Sequence, residues 1–189
     1  MARLAAILGS VTPPGRLSSA VAGALDRAAA SGTTTTLVDL GSLTIGFADG
    51  TPLEKLTDDT SSLVEAVSAA DAVLLATPVY RASMTGALKN VLDFLPMEAL
   101  RGKPVGLIVM WATLHHFLGP ESHLRDVLAW FGAVTLPTSI YLSSADFVDG
   151  VISEKAAGAL DHLVATSLQL ADALNGAIIG PPPLSARRG

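Results

Sequence analysis

The chain has no cysteine, which removes disulfides, zinc–thiolate centres and thiol nucleophiles from consideration. Charge is also scarce: 15% of the 189 residues are charged, and the net balance is −5. A surface without a basic excess does not suit nucleic acid, whose phosphates require one. Aromatic residues make up only 5%, and the Ala-, Leu- and Val-rich remainder suits buried strands flanked by helices better than a sandwich of short strands. Long apolar runs are missing as well. Val105 to Ala112 has the length of a strand and falls short of a bilayer crossing, so no membrane span is expected. The opening MARLAAILGS has a single Arg and a short apolar run closed by Gly9 and Ser10. A signal peptide needs a longer apolar region and a cleavage site, so this segment reads as the first buried strand of a cytoplasmic protein.

What is present is a hydrophobic content of 50%, enough for one core. Residues 1–179 read as one domain, and the tail from Gly180, GPPPLSARRG, as disordered. Strand and helix patterns alternate. Strands are expected at Arg3–Leu8, Thr34–Leu40, Ala72–Thr77, Pro104–Met110 and Val134–Leu142. Between them lie a helix capped by Ser18 or Ser19 and running to about Ala30, then helices at Ser61–Ala69, Thr85–Leu95 and Pro120–Phe131. Glu154–Leu174 closes the chain with a helix whose apolar residues recur at helical spacing. Gly41 to Asp59 has no pattern, and a loop of that length in a compact domain is functional or packs against a partner. This order implies a five-stranded parallel α/β sheet with right-handed crossovers. Ligands of such sheets sit outside the carboxyl ends of the strands, which singles out the loops after strands one, three and four.

The first of these loops, GSVTPPGRLSS, joins a strand to a helix amino terminus, where free N–H groups and the positive end of the dipole favour an anion. Ser10, Ser18 and Ser19 add hydroxyls, and Arg16 adds a charged fork for phosphate oxygens. Ordinary serine caps are the alternative reading. Gly9 and Gly15 enclose five residues and are followed by Arg16, so the loop is not a Walker A motif, and G-x-G-x-x-G is absent. A monophosphate site is the reading preferred.

The second loop, ATPVYRASMTGALKNVLDFLP from Ala76 to Pro96, carries a dense pattern: T-P-V-Y-R-x-S-x-T-G-x-L-K-x-x-L-D-x-L-P. Through this motif, and through Gly9-Ser10 and Arg16 with Ser18 and Ser19 in the first loop, the chain resembles the NADPH-dependent FMN reductases of flavodoxin-like fold. Within that family the likeness is close to the two-component alkanesulfonate-type flavin reductases. The resemblance implies a three-layer sandwich with sheet order 2-1-3-4-5, FMN as the flavin, and NADPH or NADH as cosubstrate. It also implies a homo-oligomer and, as a partner, a flavin-dependent monooxygenase. On the residues themselves, Pro78 and Val79 form a stiff apolar turn against which a flat ring can lie, with backbone N–H groups in reach of a pyrimidine edge. Tyr80 and Arg81 offer an aromatic wall and a cation for the ring or for a second nucleotide's phosphate. Exposure of both on a helix-entry loop is the alternative.

The third loop departs from the family. Small residues, often Gly-Gly-Thr, usually end strand four there, whereas this chain reads Met110-Trp111-Ala112-Thr113-Leu114-His115-His116. Thr113 and His116 keep their places, and Trp111 replaces a glycine. The family's inserted helix-four Tyr is matched by Ser122, so its π-bulge is not carried over. The cofactor site expected from the sequence is therefore Ser10, Arg16, Ser18, Ser19, Pro78, Val79, Tyr80, Arg81, Trp111, Ala112 and Thr113, with no catalytic side chain and no metal ligand. His115, His116, Glu121 and His123 lack metal-ligand spacing. Two functions follow: an NAD(P)H-dependent FMN reductase, or a flavodoxin-like binding protein without turnover, an alternative that Trp111 keeps open although its indole is expected to stack beside the flavin; a quinone-like acceptor is a further possibility for the electrons.

Overall fold

The computed structural model describes residues 1–12, 14–111 and 118–180. The tail, expected to be disordered, lies outside the described residues from position 181 onward. Four strands form the body of the sheet: β1 (Arg3–Leu8), β2 (Thr34–Asp39), β3 (Ala72–Pro78) and β4 (Pro104–Met110). With β5 (Val134–Thr135) the parallel order is β2-β1-β3-β4-β5, and β6 (Ile140–Leu142) also pairs with β4.

Period-two alternation divides the core into two layers, because successive side chains of a strand leave on opposite faces. Leu4, Ala6 and Leu8 of β1 pack with Ala72, Leu74 and Ala76 of β3 against helices α1 (Arg16–Ala30) and α5 (Glu154–Leu174). Ala5, Ile7, Val73 and Leu75 face the other way. They meet α2 (Thr60–Ala69), α3 (Gly86–Phe94) and α4 (Leu118–Phe131). Burial on both faces is why β1, β3 and β4 read as unbroken apolar runs. Gly106 in β4 lies under Leu163 of α5, and a Cβ there would come 2.8 Å from Leu74 Cδ2, so the helix rests directly on backbone.

Two expectations are corrected. The strand expected over Val134–Leu142 is split into β5 and β6 around Pro137, which has no N–H for a ladder. The carbonyls freed there are not wasted: Arg125 Nη2 donates to Leu136 O and Pro137 O, both at 2.9 Å, while Glu121 holds the same guanidinium. Helix α1 begins at Arg16, with Gly15 as its N-cap and no side-chain cap, so Ser18 and Ser19 lie inside the first turn. A hairpin that was not expected, β7 (Phe147–Val148) and β8 (Val151–Ile152), precedes α5.

The long loop is ordered by side chains. Asn90 of α3 accepts from Ala48 N (2.9 Å) and donates to Gly46 O (2.8 Å), acting as a substitute strand edge. Asp58 accepts from Gly46 N at 2.7 Å and Asp59 from Thr44 N at 2.7 Å. Phe47, between these anchors, points to solvent with 83% of its surface exposed. Among the described residues no helix is long and apolar enough to cross a membrane.

Candidate functional site

The switch in strand order falls between β1 and β3, where the chain leaves the sheet in opposite directions. A cleft of about 220 Å³ opens there, lined by Ser10, Thr12, Pro14, Gly15, Arg16 and Ser18 on one side and by Pro78, Tyr80 and Met110 on the other. Asp39, at the end of β2, completes the wall.

The first side presents donors that suit an anion. The hydrogen bond from Ser19 N to Gly15 O (2.9 Å) is the first of α1, so the amides of Arg16, Leu17 and Ser18 have no intrahelical acceptor. No acid stands in the first turn, and Arg16 adds positive charge at the end of the dipole that is already positive. A cation is locally unfavourable there unless an anion joins it. Ser10 Oγ and Thr12 Oγ1 lie 2.8 Å apart on the same rim, a hydroxyl pair able to donate outward. Thr12 was missed from the sequence because it lies inside a Pro-rich loop with no spacing signal of its own.

The second side is a strained hairpin. Tyr80 N donates to Ser83 O (2.9 Å) and Ser83 N to Tyr80 O (3.0 Å), closing a two-residue turn. Its central residues, Arg81 (φ 51°) and Ala82 (φ 58°), are both left-handed without being glycine. Such residues cost about 1–2 kcal/mol each, and they persist where the surroundings fix them. Here the surroundings are α4: Ala82 O lies against Gly119, and Ser83 Oγ is 2.8 Å from His123 Nδ1. Val79 N donates to Met110 O of β4 at 2.9 Å and Tyr80 N to Ser83 O within the turn, so neither amide is available to the pyrimidine edge expected from the sequence.

Of the residues expected from sequence, the structure brings Ser10, Arg16, Ser18, Pro78 and Tyr80 to one cleft. Ser19 and Arg81 are exposed and Val79 is half-buried, and none of the three is among the residues lining the cleft. Trp111 is half-buried with its indole on Tyr141, centroids 5.2 Å apart and planes at 46°, rather than on the cleft lining. Ala112, Thr113, His115 and His116 lie outside the described residues.

A parallel 2-1-3-4-5 sheet with a cleft at its β1/β3 switch point defines a flavodoxin-like α/β domain. The chain belongs to the NADPH-dependent FMN reductase family, whose profile matches residues 2–147. It is 35% identical over 111 residues to an NAD(P)H-dependent FAD/FMN reductase of Geobacillus thermodenitrificans, covering 59% of this chain and 60% of that one. It is 32% identical over 119 residues to the NADH-dependent FMN reductase SfnF of Pseudomonas fluorescens, covering 63% of this chain and 64% of that one. The chain thus spans less than two thirds of the length of these relatives. Among solved structures, the apo form of the NADH:FMN oxidoreductase EMOB superposes with TM-score 0.71 at 24% identity, covering 100% of this chain and 97% of its own. An archaeal flavodoxin does so with TM-score 0.62 at 8% identity, covering 93% and 99%. At such identities these two superpositions establish the shared fold.

Proposed function

We propose that the protein is an NAD(P)H-dependent FMN reductase acting in the cytoplasm as one domain over residues 1–179. The observation that carries this reading is the α1 cradle, acid-free and doubly positive, opening directly onto the Pro78–Tyr80 wall. That pairing suits a flat ring carrying one phosphate. Bound FMN would supply the hydride acceptor for the nicotinamide, chemistry that needs no protein acid or base. The chain's own part is binding and orientation. The amides of Arg16, Leu17 and Ser18, the hydroxyls of Ser10 and Thr12, and the Arg16 guanidinium would hold the phosphate. Asp39, an acceptor already receiving Gly41 N at 3.0 Å, suits ribityl hydroxyls rather than phosphate. Pro78, Val79 and Tyr80 would wall the ring. Arg81, on the exposed hairpin tip, would meet the phosphate of NADPH or NADH. Ser19, Ala112 and Thr113 are further candidates from the sequence, the last two outside the described residues, while Trp111 packs on Tyr141. The likeness to alkanesulfonate-type reductases supports a flavin-dependent monooxygenase as the recipient of reduced flavin. Exposed Phe47 and Trp130 support a homo-oligomer.

The test is direct. Purified protein is titrated with FMN and with riboflavin, then mixed with FMN and either nicotinamide while nicotinamide oxidation is followed. Saturable FMN binding with oxidation of NADPH or NADH is expected. Folded, FMN-bound protein that oxidises neither would leave a binding protein without turnover.

A further inference from the structure

Arg16 is held from an unexpected quarter. Its guanidinium carbon lies 5.6 Å from the ring centroid of Phe147, inside the range of a cation–π contact. Phe147 is the first residue of β7, only 9% exposed, and far from Arg16 in sequence. Its carrier is stiff. Ser143 caps the turn before it by accepting from Ala145 N, and Asp146 Oδ2 accepts from Ser143 N at 2.7 Å. Ser153 N then donates to Asp146 O at 2.8 Å. The hairpin closes through Asp149 (φ 49°) and Gly150 (φ 81°), the two left-handed residues that a tight turn between twisted strands requires.

We infer that Phe147 is a positioning residue that presents Arg16 to a phosphate in the α1 cradle. This rests on the phosphate reading above. A guanidinium has five N–H donors and no acceptor. A carboxylate partner would occupy those donors, cancel the charge and repel phosphate. An aromatic face fixes the plane of the fork and leaves every donor available. It also offsets the unfavourable placement of a cation at the positive end of α1 before any ligand arrives. Among the described residues no carboxylate forms an ion pair with Arg16.

The test is a double-mutant cycle on the whole chain, read as the dissociation constants of FMN and of riboflavin, which lacks the phosphate. Phe147→Leu keeps the apolar bulk and removes the ring face; it should weaken FMN binding about 3- to 10-fold, the size of an exposed to partly desolvated cation–π contact. Riboflavin binding should stay within about twofold, and Phe147→Tyr should restore FMN binding. In an Arg16→Ala background, Phe147→Leu should add nothing. Equal losses for both flavins, no loss for FMN, or an additive effect without Arg16 would each overturn the role of Phe147. If Arg16→Ala itself fails to separate FMN from riboflavin, the phosphate reading falls, and this inference falls with it.

Discussion

Thr85 donates its hydroxyl hydrogen to Gly9 O across 2.5 Å and thereby joins the two loops that frame the cleft. Gly9 follows β1 and leads into the first loop; Thr85 caps α3, accepting from Leu88 N at 3.1 Å. Thr85 N donates in turn to Thr77 Oγ1 at 3.2 Å, and both threonines are buried. Close approach is possible because Gly9 lacks a Cβ, which would lie 2.9 Å from Leu88 Cβ.

Replacing Thr85 with Val keeps the shape and removes both roles. A buried carbonyl left without its donor and a lost cap should together cost about 2–4 kcal/mol, measured by chemical denaturation. Thr85→Ser should recover most of it. A Val variant as stable as the parent would show that the two loops are held by packing alone.

Gly119 and Ala82 give opposite expectations from one contact. Alanine is normally about 1 kcal/mol better than glycine within a helix. At position 119 its Cβ would fall 2.1 Å from Ala82 O, so Gly119→Ala should instead destabilise by about 1–3 kcal/mol, as overpacking does. Ala82→Gly relieves the left-handed strain and should be neutral to stabilising by up to about 1 kcal/mol. Denaturation midpoints of the two variants decide both points; a shift in the same direction would contradict the argument.

The anchor of the long loop is sensitive to acid. Bonds from Thr60 first, and from Gly46 after it, hold the Asp58 carboxyl below its ordinary pKa. Its contribution is therefore complete above the unfolded-state value and fades as pH falls through the lower folded-state one. Protection factors at Gly46 and Thr60, taken relative to intrinsic exchange at each pH, should fall in that acid window, and Asp58→Asn should show the lower protection already at neutral pH. Unchanged protection in the variant would mean that Asn90 and Asp59 secure the loop without Asp58.

Trp111 separates packing from ligand contact. Because its indole lies on Tyr141, Trp111→Ala should cost about 2 kcal/mol of stability, less than a fully buried tryptophan. FMN affinity should move less than for Arg16→Ala. A large loss of affinity at unchanged stability would return the indole to the flavin.

Local pattern made most of the fold readable. Apolar runs buried on both faces marked β1, β3 and β4, and the motif from Thr77 to Pro96 marked the loop beside the cleft before any geometry was known. The hairpin carrying Phe147 had its own signal, Asp149-Gly150 between apolar pairs, which suits a two-residue turn. The split of the last strand was signalled by Pro137, whose missing N–H forbids a continuous ladder.

The sequence by itself determined the parallel α/β class and the residue types of an anion cradle, because strand burial and helix-start chemistry are written within a few neighbouring positions. Only the tertiary structure decided that Thr85 reaches Gly9, that Gly119 supports the strained hairpin, that Trp111 turns to Tyr141, and that Arg16 lies over the ring of Phe147. Each of these depends on a distance between segments remote along the chain, and side-chain period and spacing carry no information about such distances.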